Sequence, residues 1–438
     1  MNFVQVLNGL LAFLCRLAIM PAGSVTARGG SMTAGQTASE YRTSGGHAPI
    51  MFIAGTRPEA VKLAPLVQEV RGRGVPAQLV ATGQHRELFG EALAGFGLAA
   101  DHDLGVMAGT PEQQVGQLVP MLADLIRRQA PDCVVVQGDT SSTFAGALAA
   151  RYAGVPLAHV EAGLRTGTHD PHPEEMHRKL VAQMAHWHFA PTPAAAAALA
   201  AEGVSGSVHV TGNTGIDALL LMAQRLDRDA GLAAVAAAPV AHVPAGRPWV
   251  LATIHRRENQ GRPLAGVLAA LANLADEAEI LLPVHPSPAI SGPVLARLAG
   301  RPGIHLLPPL PYAAFVALMR RCALVLTDSG GVQEEAPALG LPCLVLRDGT
   351  ERPEGLATGN ARLVGTAPAG IVAAARAVLQ DPRLHARMAV PALPYGDGRA
   401  ARAITDVLLC PVVPSSARSL ESLSRLAGHH RWSPALAR

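Results

Sequence analysis

From residue 49 onward, short aliphatic runs alternate with longer Ala/Leu stretches, and the alternation occurs twice. Nothing else in the chain constrains the fold so tightly. A strand buried on both faces reads as an unbroken apolar run, and parallel neighbours need a crossover long enough for a helix. The runs predict strands at 50–54, 78–82, 132–137, 156–160, 187–190 and 208–210. After Gly212 an Ala-rich helical stretch leads to a Pro-containing linker near 239–248. The alternation then restarts, with strands predicted at 249–253, 280–284, 304–307, 323–327 and 342–346. Two such series predict two doubly wound α/β domains facing a cleft. Ligands in such folds bind beyond the C-terminal ends of the strands.

Composition excludes several alternatives. With 49% hydrophobic and 16% charged residues, the 438-residue chain is not disordered. A net charge of +3 is too small for a polyanion binder, and 3% aromatics leave little to stack bases on. The five cysteines (Cys15, Cys133, Cys322, Cys343 and Cys410) are odd in number and form no CxxC pair, which predicts reduced thiols and neither a disulfide frame nor a zinc site. His186 and His188, and His429 and His430, lack acidic or thiol companions at metal spacing, so no metal is expected. Residues 1–20 are apolar but carry no cation before Arg16, and suit a mis-called start as well as an export signal. The letters GRGVPA at 72–77 match a loose dinucleotide fingerprint, but they precede a strand when they should follow one. Only two lysines occur, Lys62 and Lys179, in a chain that otherwise uses Arg.

Each polar motif follows a predicted strand. In GTRPEAVKLAPL (55–66) Arg57 stands at a helix start, where a cation and free N–H groups add to hold a phosphate, and Lys62 lies a turn further. In GDTSST (138–143) Asp139 reads either as a plain N-cap bonded to the N–H of Ser141 or Ser142, or as a catalytic acid. Glu161 in EAGLRTG ends a buried strand, where a carboxylate needs a partner or a task, and Arg165 is the expected partner. Glu174 opens the helix after Pro173. Three acids beyond strands of one half can have their pKa values moved apart, supplying an acid and a base. His255 leads the cationic HRREN segment, and DSGGVQEEAPALGLP (328–342) forms an anion-binding turn at Ser329, Gly330 and Gly331, with Glu335 placed to reach a ribose diol. Arg352 follows in TERPEG.

Together GTRPEAVKLAPL, GQHRELF, QGDTSST, HVEAGLRTG, PHPEE, TGNTGIDAL, HRREN, PVHPSP, LTDSGGVQEEAPALGLP, RDGTERPEG and PYGDGRAARAI closely resemble the non-hydrolysing UDP-N-acetylglucosamine 2-epimerases. The resemblance runs from about Pro49 to about Thr405. It implies a GT-B-like pair of Rossmann-like domains and a final helix crossing back to the first. The division expected is an extension at 1–47, a first domain at 48–222, a helix and linker at 223–247, a UDP-binding domain at 248–393, the returning helix at 394–412 and a disordered tail at 413–438. The resemblance further implies that Asp139, Glu161 and Glu174 are catalytic acids and that His255 assists UDP departure. Arg57, Lys62, Ser329, Gly330, Gly331, Glu335 and Arg352 would bind substrate. Gln84, His85 and His285 would contact an allosteric second molecule of UDP-N-acetylglucosamine. The implied reaction, reversible C2 epimerisation to UDP-N-acetylmannosamine, needs no nicotinamide and no metal. The expected setting is a cytoplasmic homodimer with no nucleic-acid or membrane partner. Alternatives left open are an epimerase of a related UDP-2-acetamido sugar, a hydrolysing form, a GT-B glycosyltransferase, and a non-catalytic UDP-sugar binder.

Overall fold

The computed structural model describes residues 47–83, 86–106, 109–169 and 171–410. Expectations for Cys15, the N-terminal extension, Gln84, His85, His429, His430 and the C-terminal tail fall outside these residues. The elements run β1 (Ile50–Ala54), α1 (Arg57–Gly72), β2 (Ala77–Ala81), α2 (Arg86–Gly95), β3 (His102–Asp103), α3 (Pro111–Gln129), β4 (Cys133–Gln137), α4 (Ser141–Ala153), β5 (Leu157–Val160), α5 (Glu174–Met184), β6 (Trp187–Ala190), α6 (Pro193–Ala201), β7 (Ser207–Val210), α7 (Thr214–Arg228) and α8 (Ala230–Ala237). A second series follows: β8 (Trp249–Thr253), α9 (Arg262–Leu274), β9 (Glu279–Pro283), α10 (Pro288–Leu298), β10 (Ile304–Leu307), α11 (Tyr312–Met319), β11 (Leu324–Thr327), α12 (Gly330–Ala338), β12 (Cys343–Val345), α13 (Pro353–Ala357), β13 (Ala361–Leu363), α14 (Pro368–Gln380), α15 (Pro382–Met388) and α16 (Ala400–Leu408).

The strands form two parallel sheets, ordered β3-β2-β1-β4-β5-β6-β7 and β10-β9-β8-β11-β12-β13. Each half is therefore Rossmann-like, and the pair is GT-B-like. In β1 and β4 every residue is buried, as helices on both faces require. The strand order reverses between β1 and β4 in one sheet and between β8 and β11 in the other. Such switch points open a crevice beyond the strand ends.

Local sequence explains the helix starts there. Thr56 and Glu59 form a capping box with Pro58 in the first turn of α1, and Thr140 caps α4 by accepting from the Thr143 N–H. Gly55 is required by close approach, because a Cβ there would fall 2.1 Å from Ser142 Oγ and 2.2 Å from Thr82 Oγ1. Asp229 breaks the Ala-rich stretch after Gly212 into two helices and caps the second. The last helix, α16, packs on α1 and α7 of the first half. Asp217 of α7 caps it by accepting from the N–H groups of Ala400 and Ala401, and Arg73 pairs with Asp406.

The short strands β3 and β13, of two and three residues, add to those the sequence predicts. Both sit at sheet edges, paired on one side only, and so lack the buried apolar run that marks the inner strands. Cys133, Cys322, Cys343 and Cys410 are free thiols. Among the described residues no helix is long and apolar enough to cross a membrane.

Candidate active site

At the first switch point, Glu59 reaches from α1 to the β4–α4 turn. Its carboxylate accepts from the Gly55 and Thr56 N–H groups and from the hydroxyls of Thr140 and Thr143. Burial pushes its pKa up, although four neutral donors oppose the rise. The carboxylate thus staples the turn carrying Asp139 to the turn carrying Arg57.

Asp139 is not the cap of α4; Thr140 is. The Asp139 carboxylate instead receives Arg178 of α5 through Nε at 2.8 Å and Nη2 at 2.7 Å. Arg178 also pairs with the buried Glu175. Two imidazoles hold the same turn: His159 bonds the Gly138 carbonyl at 2.8 Å and His177 the Asp139 carbonyl at 2.9 Å. Burial lowers both histidine pKa values, that of His159 to about 4, so both rings are neutral donors near pH 7. Glu174 opens α5, half-buried, on the same helix as His177 and Arg178.

Glu161 lies directly after β5 with φ of +64°, a left-handed conformation that a side-chain-bearing residue rarely adopts. Holding a non-glycine there costs about 1–3 kcal/mol, and such strain clusters at functional sites. Its expected partner, Arg165, is turned away and binds Glu202 through two 2.7 Å bonds. The observed pairing has a topological cause, because α1 follows β1 and delivers Lys62 to the end of β5 from 99 residues away. Lys62 Nζ lies 2.6 Å from Glu161 Oε2, and Gln137 also donates to that oxygen. Arg352 from the second half approaches Glu161 Oε1 at 3.6 Å. Burial would raise the Glu161 pKa, but Lys62 and Arg352 outweigh it and hold the carboxylate below its ordinary value.

The cluster continues across the cleft. Arg352 Nε lies 2.6 Å from Glu334, which also accepts from Asn213 and stands 3.7 Å from Lys62. Burial opposes charge on Lys62, yet Glu161 and Glu334 reverse this and raise its pKa above the lysine norm. Glu351 gathers three guanidinium groups, from Arg256, Arg347 and Arg352. The Arg352 guanidinium lies against Gly330, where a Cβ would come within 2.6 Å of its Cζ. Gly330 is therefore necessary for a cation to lie over the start of α12.

Ser329 is the N-cap residue of α12, but its side chain makes no capping bond; its N–H donates to Thr327 Oγ1. Glu335 accepts from the Tyr312 hydroxyl at 2.9 Å. Burial, helped by neighbouring Glu334, pushes its pKa up to about 7, against the pull of Tyr312, Lys62 and Arg57. Arg57 donates to the Leu310 carbonyl of the second half at 2.9 Å. His255 follows β8 and pairs through Nδ1 with Asp328 at 3.0 Å, while the His285 ring lies alongside at 6.2 Å.

The described residues thus join Lys62, Glu161, Arg352 and Glu334 in one set of ion pairs, to which Gln137 donates at Glu161, and pair Asp139 separately with Arg178. The sequence does not single out Arg178, Gln137 and Glu334 as site residues, although Gln137 opens QGDTSST, Glu334 lies within DSGGVQEEAPALGLP and Arg178 follows shortly after PHPEE. Adjacent Glu334 and Glu335 are chemically alike in sequence, and only the fold shows that Glu334 is the one facing Arg352. Among the described residues no group of three or more His, Cys, Asp or Glu side chains could hold a metal ion.

The profile of the UDP-N-acetylglucosamine 2-epimerases matches residues 68–409. The chain belongs to the UDP-N-acetylglucosamine 2-epimerase family. It is 40% identical over 373 residues to the UDP-N-acetylglucosamine 2-epimerase of Escherichia coli K12, covering 82% of this chain and 98% of the relative. The crystal structure of the Neisseria meningitidis UDP-GlcNAc 2-epimerase bound to UDP-GlcNAc superposes with a TM-score of 0.79 at 36% identity, covering 82% of this chain and 99% of the other. The Methanocaldococcus jannaschii UDP-GlcNAc 2-epimerase, in complex with UDP-GlcNAc and UDP, superposes with a TM-score of 0.73 at 30% identity over 82% and 98% of the two chains. Members of this epimerase family are isomerases, so the crevice between the two sheets belongs to an enzyme.

Proposed function

We propose that this protein inverts C2 of UDP-N-acetylglucosamine, giving UDP-N-acetylmannosamine, by eliminating UDP and adding it back. The observation that carries this reading is Glu161: a buried, conformationally strained carboxylate kept ionised by two cations, one from each half of the cleft.

The chemistry explains why such a group is needed. The C2 hydrogen has no adjacent carbonyl and is not acidic enough to be removed directly. Loosening the C1–O bond to UDP gives C1 oxocarbenium character and acidifies C2–H. A base takes that proton, the C1–O pair leaves with UDP, and a 2-acetamidoglucal remains. A proton delivered to the opposite face of C2, with UDP returned to C1, completes the inversion. Proton transfer by positioned groups contributes roughly 10²–10⁴-fold. Glu161, held as a carboxylate, suits the proton acceptor, and Asp139 and Glu174 are available for the other face.

The departing diphosphate needs a cationic grip and free N–H groups. Arg57, Lys62 and Arg352, with the Ser329–Gly330–Gly331 turn opening α12, supply that chemistry. His255 assists departure of UDP, and Glu335 beside Tyr312 suits the ribose. An effector site using Gln84, His85 and His285, and a homodimer formed through the first half, belong to the same proposal.

The test is incubation with UDP-N-acetylglucosamine in D₂O, read by NMR. Deuterium at C2 of both epimers is expected, with 2-acetamidoglucal detectable when UDP is removed. Epimer formed without label at C2 would overturn the mechanism, and no epimer at all would overturn the activity.

A further inference from the structure

Asp328 stands one residue beyond β11, across the second switch point from His255, and is fully buried. Four donors converge on its two oxygens. His255 N–H reaches both at 3.1 Å, Arg256 N–H reaches one at 3.0 Å, Asn259 Nδ2 lies at 2.9 Å, and His255 Nδ1 lies at 3.0 Å. Burial opposes its charge, but His255 and the other donors hold its pKa below the ordinary aspartate value. The same carboxylate therefore fixes the backbone of His255 and one nitrogen of its ring. The ring itself is 40% exposed, so it is not enclosed on every side.

We propose that Asp328 is the positioning residue that sets the orientation and proton arrangement of His255. The inference rests on the proposed role of His255 in UDP departure. An ionised carboxylate can only accept, so Nδ1 must carry hydrogen. That leaves Nε2 as the nitrogen available to a ligand, the arrangement a carboxylate imposes on a histidine in other enzymes. When Nε2 also takes up a proton, the Asp328 charge stabilises the resulting imidazolium. Nε2–H then hydrogen-bonds the β-phosphate oxygen as negative charge builds there, and releases it when UDP adds back. Without Asp328 the ring is free to turn over or to place its single proton on Nε2, and the arrangement is no longer unique.

The first readout needs no variant of Asp328 and no substrate. In the full chain labelled with ¹⁵N-histidine, long-range ¹H–¹⁵N correlations report which ring nitrogen of His255 is protonated, with the signal assigned by its loss in His255→Asn. A protonated Nδ1 is expected. A neutral ring carrying hydrogen on Nε2 with Nδ1 bare would overturn the proposal. The second readout is kinetic. Asp328→Asn is expected to lower kcat by about 10²-fold with little change in KM. In the His255→Asn background the same change should cost less than about threefold, because the two residues act as a unit. An equal loss in both backgrounds would show that Asp328 acts through the fold, and would overturn the proposal. Failure of the reaction scheme looks different: wild-type enzyme would then put no deuterium on C2, whatever the His255 ring shows.

Discussion

The two switch points are built alike and used differently. In each, one buried carboxylate ties together the two turns that flank the crevice: Glu59 between the ends of β1 and β4, Asp328 between the ends of β8 and β11. Glu59 is met by neutral groups only, and burial raises its pKa. Asp328 is met by an imidazole as well, and its pKa is lowered. The first is a staple, and the second couples its turn to a partly exposed imidazole ring. The comparison teaches that one topological position can serve architecture or chemistry. What differs is whether the partner of the buried acid can itself carry charge.

The same division predicts where substitutions will act. The proposed acids all lie in the first half, so Glu161→Gln, Asp139→Asn and Glu174→Gln should each lower kcat by ~10²–10⁴-fold in a steady-state assay. Normal turnover in all three would remove the acid/base role from that half. Next in size is Arg352→Met, which leaves Glu161, Glu334 and Glu351 short of a buried cation. Loss of one partner from a buried pair costs about 3–5 kcal/mol, measurable by urea unfolding. An unchanged midpoint would show that Lys62, Arg256 and Arg347 compensate fully.

Arg57 tests the boundary between the halves, since it sits at the first switch point but is assigned to the nucleotide. Arg57→Ala should weaken UDP binding by about 1.5–3 kcal/mol by calorimetry, the worth of a charge-assisted hydrogen bond. Unchanged affinity would confine Arg57 to its bond with Leu310.

The smallest effect separates Glu59 from Asp328 directly. The folded pKa of Glu59 lies above its ordinary 4.5, so the native state binds more protons in that window. Its contribution to stability therefore falls as pH rises from about 4.5 through the folded value. Asp328 lies below its ordinary 3.8; its contribution is present above that pH and is lost as pH falls through the folded value. Urea titrations of Glu59→Gln and Asp328→Asn across the acid range should differ from wild type with opposite pH slopes. Slopes of the same sign would end the distinction between the two switch points.

Much of this was legible along the chain. The strands at Ile50–Ala54, Trp187–Ala190, Trp249–Thr253 and Ile304–Leu307 have the predicted limits, because each is a short, largely apolar run that starts just after a Pro, Gly or polar residue and ends at or just before one. Motifs at strand ends were equally legible, since each is covalently next to the strand that positions it. The edge strands His102–Asp103 and Ala361–Leu363 were not, because at two and three residues, with polar side chains among them, they carry no apolar run.

Two Rossmann-like halves, and the residues that stand at the mouths of their strands, can be read from the chain alone, because local patterning and chain adjacency suffice for both. How those residues pair is set by the folded arrangement. Lys62 meets Glu161, Arg178 meets Asp139, and Arg352 reaches from one half to the other. Arg165, four residues from Glu161, goes elsewhere. Such pairings depend on which strand ends are neighbours in space. Sheet order sets that, and charge falls off with distance through space, not along the chain.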